Sequence, residues 1–521
     1  MSSQVHSLLL KLFSNRISLP FSSSSLLNSL TQTHSNSDPT TPLLYDAIIT
    51  AFVQYPSPEE ALFYFNQMKD RGLVLRSNTF NGLLMLILKL DNFEKSWRVF
   101  KESKGSVEFD VYSFGIMIKG CCEANEMDKA FKLFDELANM GWSENVVIYT
   151  TLIDGSCKNG DLERARMLFC KMEELGLVAN QFTYTVLING YFKKGLKKDG
   201  FELYEKMKND GVLPNLYTYN SIINEYCKDG NISTALKLFD EMCESGIACN
   251  SVTYNTLIAG VCKQQRVSEA KKLMVQMKSA GLSPNLITYN TLIDGFCDVG
   301  KLEEARSLFK QMKLSGPSPS LVTYNILISG LSRAGDLAGA ASLVREMEER
   351  GFSPSKVTYT ILSDAFVKSG NVEKALAIYS SMEKADLVPD VYAYGVLIHG
   401  FCRNGFMMEA SKMFKMMEEK KLEPNDVIYN TMISGYCKEG NSYRALRLLK
   451  EMRSSGMVPN MASYTMTIGV LCRDQKIEEA EVLLKEMIGL GLKPSVSTYD
   501  MITRTKSREM QNVLLMHDQT E

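Results

Sequence analysis

The sequence predicts an all-α fold, a solenoid of stacked helix-turn-helix repeats with a period of 35 residues. Three observations predict it. The phrase Thr253-Tyr-Asn-Thr-Leu-Ile258 returns at Thr288–Ile293 and persists at Val322–Ile328 and Val427–Ile433. Within each period, two apolar stripes follow the spacing of amphipathic helices. Glycine and proline punctuate the joints between them.

The N-terminal residues 1–41 differ in kind. They are rich in serine (Ser22 to Ser25 are consecutive), carry Lys11 and Arg16, and hold no acidic residue before Asp38. Leu8, Leu9, Leu12 and Phe13 fall at helical spacing around Lys11, which makes a short basic amphipathic helix. That is the composition of an organellar transit peptide. It leans toward the mitochondrion, with the chloroplast as the alternative. A secretory signal fits less well, because Lys11 breaks the apolar stretch and unpaired cysteines do not suit an oxidising lumen.

Counted from two residues before the Thr/Ser-Tyr/Phe signature, units begin at Pro42, Ser77, Val111, Val146, Gln181, Leu216, Ser251, Leu286, Leu321, Lys356, Val391, Asp426 and Met461. These thirteen repeats occupy 42–495, and 496–521 are read as a partial repeat and C-terminal cap. The unit Leu286–Ser320 shows the logic. Thr288 is the expected N-cap. Tyr289, Leu292, Ile293, Phe296 and Cys297 make the apolar face of a first helix, and Gly300 supplies the left-handed residue that stops it. A second helix is expected from about Leu302 to Leu314, with Ala305, Leu308, Phe309 and Met312 inward. Gly316-Pro-Ser-Pro319 then breaks it. Neither helix can bury its stripe alone, so each pair must stack on its neighbours.

Of 521 residues, 45% are apolar and 23% charged, a globular composition, and no apolar run reaches spanning length. Twelve cysteines could suggest disulfides or a metal. However, Cys157, Cys227, Cys262, Cys297, Cys402, Cys437 and Cys472 fall at one place in the repeat, so each lies on a different helix and reads as a small core hydrophobe. Recurrent Ala (Ala130 to Ala480) marks a close helix–helix contact, and recurrent Met (Met172 to Met487) reads as core filler.

Positions two, five, nine and thirteen of each unit lie three or four apart on a face of the first helix distinct from the apolar one. Position two is an apolar or aromatic wedge: Val147, Phe182, Tyr217, Val252, Ile287, Val322, Val357, Tyr392 and Val427, with Tyr112 before them. Position five is small and polar, switching between Asn and Thr while its surroundings stay constant. Position thirteen is a cation at Lys158, Lys193, Lys228, Lys263, Arg333, Lys368, Arg403, Lys438 and Arg473, and at Lys89. The net charge is only -2, yet cations at one register form a stripe suited to a phosphate backbone. Variation inside a fixed frame suits a one-base-per-repeat reader, with the wedges stacking on bases.

The uniform 35-residue units, opened by Tyr-Asn-Thr-Leu-Ile and closed by Gly-x-x-Pro-Asn, resemble pentatricopeptide repeats of the P class found in plant organelles. The resemblance implies a right-handed α-solenoid superhelix that binds single-stranded RNA, an organellar transcript, without a cofactor. It implies that position five and the last residue of the same unit choose the base. Asn81 with Asp110 then prefers uracil. Thr150 with Asn180 and Thr185 with Asn215 prefer adenine. Asn220 with Asn250, Asn255 with Asn285, Asn290 with Ser320, Asn325 with Ser355, and Asn430 with Asn460 prefer pyrimidines, mainly cytosine. Thr360 with Asp390 prefers guanine. Gly115 with Asn145, Gly395 with Asn425, and Thr465 with Ser495 are ambiguous, and Asp46 with Arg76 departs from the pattern. With the N-terminus at the 5′ end, the implied target from the second unit is U-N-A-A-Y-Y-C-C-G-N-Y-A.

Family members that edit RNA resemble cytidine deaminases, which need a His-x-Glu and Cys-x-x-C zinc site. This sequence has four His and no Cys-x-x-C. His399 at position nine faces the same groove without a catalytic partner in view. The expectation is a binder, not an enzyme, that remodels an intron for splicing, stabilises or processes a transcript, or exposes a start site, with other RNA-processing factors as candidate partners and neither a membrane nor a small-molecule substrate. The alternative is an α-solenoid protein–protein scaffold of the tetratricopeptide kind, which predicts neither the cation stripe nor the Asn/Thr switching.

Overall fold

The computed structural model describes residues 41–517 apart from residue 91, with side chains described through Arg508. Residues 1–40, most of the segment read as a transit peptide, lie outside the described residues. The chain divides into two compact units, one ending at Cys249 and one beginning at Asn250. Among the described residues there are 27 helices, of which 26 alternate as first and second members of hairpins and the last, Val496–His517, follows the final hairpin. The single β-pairing described is an isolated bridge, Leu75 to Val107. No described helix is long and apolar enough to cross a membrane.

First helices begin at Thr41, Ser77, Val111, Val146, Gln181 and Leu216 in one unit. In the other they begin at Ser251, Leu286, Leu321, Lys356, Val391, Asp426 and Met461. The hairpin from Leu286 pairs Leu286–Asp298 with Leu302–Ser315. Gly300, at φ +74°, donates its N–H to the Cys297 carbonyl (3.1 Å), and Lys301 donates to that of Phe296 (2.9 Å). These are the crossed bonds of a left-handed helix end.

The expected cap was one turn late. Asn285, not Thr288, is the N-cap: its Oδ1 accepts from the Thr288 backbone N–H at 3.1 Å. Thr288 returns the favour, its Oγ1 accepting from the Asn285 N–H at 3.2 Å. Such a reciprocal box satisfies two donors that a helix start otherwise orphans. The same correction applies along the chain. From the second unit on, the last residue of a unit caps the first helix of the next, as at Asp110, Asn215, Ser355 and Asn460.

Packing follows the stripes. Ala130, Ala165, Ala235, Ala270, Ala305, Ala340, Ala375, Ala410, Ala445 and Ala480 are fully buried, as are Met172, Met277, Met417 and Met487. A Phe on a second helix meets the Tyr of the next first helix edge-on: Phe134 with Tyr149 at 5.4 Å, Phe169 with Tyr184 at 5.5 Å, Phe309 with Tyr324 at 5.4 Å. Each such pair adds about 0.5–1.5 kcal/mol beyond its buried area. Successive second helices are also joined by ion pairs, such as Lys101–Glu136 (2.8 Å) and Lys313–Glu346 (2.9 Å). Being partly exposed, each contributes about 0–1 kcal/mol.

First helices approach one another most closely at glycine. A Cβ on Gly155 would lie 2.5 Å from the Cys122 sulfur, one on Gly190 2.7 Å from that of Cys157, and one on Gly295 2.7 Å from that of Cys262. A Cβ on Gly330 would meet the Cys297 sulfur more closely still. The seven in-register cysteines are buried, as expected, and burial pushes the Cys157 and Cys262 thiols up to about 12. That keeps them protonated and inert. Cys170 and Cys243 depart from the pattern and are exposed.

Helix propensity alone would make alanine better than glycine here by about 1 kcal/mol. We expect the reverse. Gly330→Ala should lower stability by about 1–3 kcal/mol through overpacking against Cys297, seen as a lower urea midpoint. Cys297→Ala in the same chain should recover part of the loss. A stabilised Gly330→Ala protein would disprove the close approach.

Candidate nucleic-acid interface

The predicted site residues occupy the first helices and their caps, but not at one depth. The wedges at position two stand out from the surface: Val357 is 57% exposed and Tyr392 74%, with Val147, Phe182, Tyr217, Val252, Ile287, Val322 and Val427 between. The cations at position thirteen are all exposed. Position five is not. Asn81 and Thr150 are each 3% exposed, Thr185 and Thr360 are buried, and Asn255, Asn290, Asn325, Asn430 and Thr465 are half-buried. Position five thus lies deeper than the wedge beside it. The neighbouring first helix covers it, leaving it at the floor of a cleft.

The floor is wired to the caps. The Thr288 hydroxyl lies 2.7 Å from Asn255 Oδ1 and 3.1 Å from Asn285 Oδ1. Thr323 reaches Asn290 Oδ1 at 2.8 Å, Thr358 reaches Asn325 Oδ1 at 2.7 Å, and Ser463 reaches Asn430 Oδ1 at 2.7 Å. Where position five is Thr, hydroxyl meets hydroxyl: Thr150 with Thr183 and Thr185 with Thr218, each at 2.7 Å. Position five also touches the last residue of its own unit. Asn81 Nδ2 donates to Asp110 Oδ1 at 3.2 Å, and Asn255 Nδ2 to Asn285 Oδ1 at 3.3 Å. The two positions that the resemblance pairs are thus brought together by the fold.

Two clefts of the second unit display the whole set. At the first, Thr360 and Asp390 share a cavity of about 350 Å³ with Val357, Tyr392, Arg333 and Lys368. At the second, Asn430 and Asn460 share one of about 650 Å³ with Val427, His399, Arg403 and Lys438. Each holds a position-five side chain, its partner, at least one wedge and two cations. His399 lines the second cleft together with Asp426 and Ser434. Among the described residues, no group of three or more His, Cys, Asp or Glu could hold a metal.

Electrostatics divide the cations. Lys158 pairs with Asp154 (2.7 Å) and Lys368 with Asp364 (2.5 Å), each one turn earlier on the same helix. Arg333 pairs with Asp298 (2.5 Å), and Lys228 with the buried Glu225 (2.5 Å). Lys197, in the basic turn of the second helix Lys197–Asn209, reaches Glu225 as well. Lys193, Lys263, Arg403 and Lys438 stand in no described ion pair. Sequence spacing gave the stripe but not its internal neutralisation, although Asp154 and Asp364 four residues before the lysines were legible.

Asp110 is the carboxylate most firmly fixed at the floor. Burial would push its carboxyl up, but hydrogen bonds from the Ser113 backbone and hydroxyl and from Asn81 outweigh that and hold it below the usual carboxylate range. It is an acceptor only at neutral pH. At Asp46 burial wins and the carboxyl is raised, despite Thr79 and Arg76.

Models of the PPR repeat family match residues 144–193, 179–228, 215–263, 250–298, 284–333, 319–368 and 424–473. Further PPR repeat models match 106–138 and 385–418, and 44–73, 357–387 and 462–492. A pentatricopeptide repeat-containing protein of Arabidopsis thaliana is 58% identical over 150 residues, 29% of this chain and 26% of that protein. A mitochondrial pentatricopeptide repeat-containing protein of the same plant is 33% identical over 75 residues, 14% of this chain and 15% of that one. The chain therefore spans about a quarter or less of the length of these relatives. The crystal structure of the pentatricopeptide repeat protein PPR10 from maize is similar in fold, with a TM-score of 0.56 and 21% identity, covering 100% of this chain and 89% of that one.

The lowered Asp110 carboxyl has a sign that can be measured. A group depressed in the folded state contributes stability above its unfolded value of 3.8 and loses it as pH falls through the folded value. Asp110→Ala should cost about 1 kcal/mol at pH 7 as a lost cap. The gap between the two proteins should narrow below pH 3.8. Denaturant midpoints across that range would check it; a gap independent of pH would mean that the carboxylate is not what holds the cap.

Proposed function

The chain belongs to the pentatricopeptide repeat family, and on that premise we propose that it binds single-stranded RNA, one base per repeat, as a step in organellar RNA metabolism. The observation that carries the reading is the cleft at Thr360. There, two wedges, a pair of polar groups and two cations line one cavity. A base can stack against Val357 or Tyr392, present its edge to Thr360 and Asp390, and leave its phosphates to Arg333 and Lys368. Protein scaffolds of similar architecture have no need of that combination.

The chemistry of the floor supports the base preferences. An ionised carboxylate only accepts, so Asp110 and Asp390 suit bases that donate from the Watson–Crick edge, uracil through N3–H and guanine through N1–H. An amide also donates. Asn180, Asn215, Asn285 and Asn460 can therefore meet adenine N1 or cytosine N3. Position five then separates purine from pyrimidine by what it leaves room for beside the partner: Thr at 150, 185 and 360, Asn at 255, 290, 325 and 430.

Binding occupies RNA and needs no bond to be made or broken. Such a protein acts by what it excludes or exposes, in splicing, stabilisation or processing of a transcript, or translation. The basic serine-rich start and the mitochondrial relative favour the mitochondrion, with the chloroplast as the alternative.

Replacing Asn290 and Asn325 together by Thr tests the reading. Preference at two adjacent letters should move from pyrimidine toward purine, by about 1–3 kcal/mol per letter. Fluorescence anisotropy with a panel of single-stranded RNAs measures it. Equal binding of a scrambled RNA by the wild-type protein, or an unchanged profile after the exchange, would overturn one-base-per-repeat recognition.

A further inference from the structure

We propose that the cleft closed by the helix Val496–His517 is a sequence-independent phosphate clamp that takes the RNA strand as it leaves the coded repeats. The proposal rests on the RNA-binding reading and extends it to a cleft that holds the position-five Thr465 but not its partner Ser495. The cleft measures about 810 Å³, larger than those at Thr360 and Asn430. One cause is Gly469, which occupies position nine where the preceding units carry Asp364, His399 and Ser434.

Its charge sets it apart. Lys438, Arg473, Arg504 and Arg508 line it, and none of its described lining residues is acidic. The clefts at Thr360 and Asn430 include Asp364 and Asp390, and Asp426. Arg504 and Arg508 are four residues apart, on one face of the helix. Both are exposed, and neither stands in a described ion pair. Lys506 behaves differently: it pairs with Glu481. The helix thus neutralises that cation and leaves the two facing the cleft open. Four cations around a cavity repel one another unless an anion joins them. Guanidinium groups match phosphate oxygens in a planar fork.

The base edge finds only the position-five Thr465, without its partner Ser495. The position-five residue of this helix is Asp500, which is exposed and does not line the cavity. With one hydroxyl set against four cations, recognition of the strand beyond Thr465 is of phosphate, whatever the added base.

The test compares three RNAs: the coded stretch alone, and the same RNA lengthened by two nucleotides at its 3′ or its 5′ end. Each is also made with a scrambled core. For the wild-type protein, the 3′ extension should tighten binding roughly tenfold with any added base, and the 5′ extension should not. In Arg504→Ala/Arg508→Ala that gain should vanish, and the slope of log K against log salt should fall by about 1.4, two phosphates at the single-strand value. Affinity for the unextended RNA and discrimination against its scrambled form should stay, which also shows that the variant is folded. No gain from the 3′ extension, or a gain that survives in the variant, overturns the clamp. Loss of core discrimination with the extension gain intact overturns the base-reading instead and leaves the clamp standing.

Discussion

The contact on which the rest depends is the approach of one first helix to the next at glycine. Gly155, Gly190, Gly295 and Gly330 each take a cysteine sulfur where their own Cβ would be. Glycine in a helix costs about 1 kcal/mol relative to alanine. What that cost secures is spacing. With the helices this close, a side chain at position five spans to the hydroxyl at position three of the next helix, as Asn290 does to Thr323. A wider gap would break that bond and let the floor of the cleft move. Glu225, at the same register as those glycines, shows the alternative. It is buried at 2% exposure, and Lys228 and Lys197 answer its charge.

The inner row then does two jobs with one set of atoms. Asn285 caps a helix through Oδ1 and receives the amide of Asn255. Asp110 caps a helix and accepts from Asn81. Ligand contacts made by such residues are preorganised, because their rotamers are already fixed by the backbone they cap. The cations are less committed. Lys158 and Lys368 rest on carboxylates one turn away, bonds weak enough at the surface for a phosphate to replace.

Much of this was legible in the sequence because a solenoid writes its fold many times over. The two stripes, the left-handed Gly300 and the buried Ala and Met rows were plain from spacing. What was missed depends on contacts between repeats, which a reading of one unit does not contain. Thr288 looked like a cap because it opens the signature, but its partner Asn285 belongs to the previous unit. Position five was legible as a polar row beside position two, but its depth was not, because only the neighbouring helix buries it. The glycine and cysteine that meet are in the sequence as Gly-x-Cys, at Gly155–Cys157 and Gly295–Cys297, yet each glycine touches the cysteine of the preceding repeat.

The double duty also explains the alphabet of the last position. A residue that must cap a helix is limited to those whose short side chain can accept from the third backbone N–H, and Asn, Asp and Ser are nearly equal in that task. Those three are what stand at Asp110, Asn145, Asn180, Asn215, Asn250, Asn285, Ser320, Ser355, Asp390, Asn425, Asn460 and Ser495. They differ in what else they offer: acceptor only, donor with acceptor, or a rotating hydroxyl. On the proposed reading, base preference can change along the row while helix stability hardly does. Arg76 marks the boundary of the rule. It makes no side-chain cap, and it meets its position-five partner, Asp46, as an ion pair at 3.4 Å. At that unit the last residue has lost the capping chemistry, and on the proposed reading it loses the reading chemistry with it, because the same atoms would serve both.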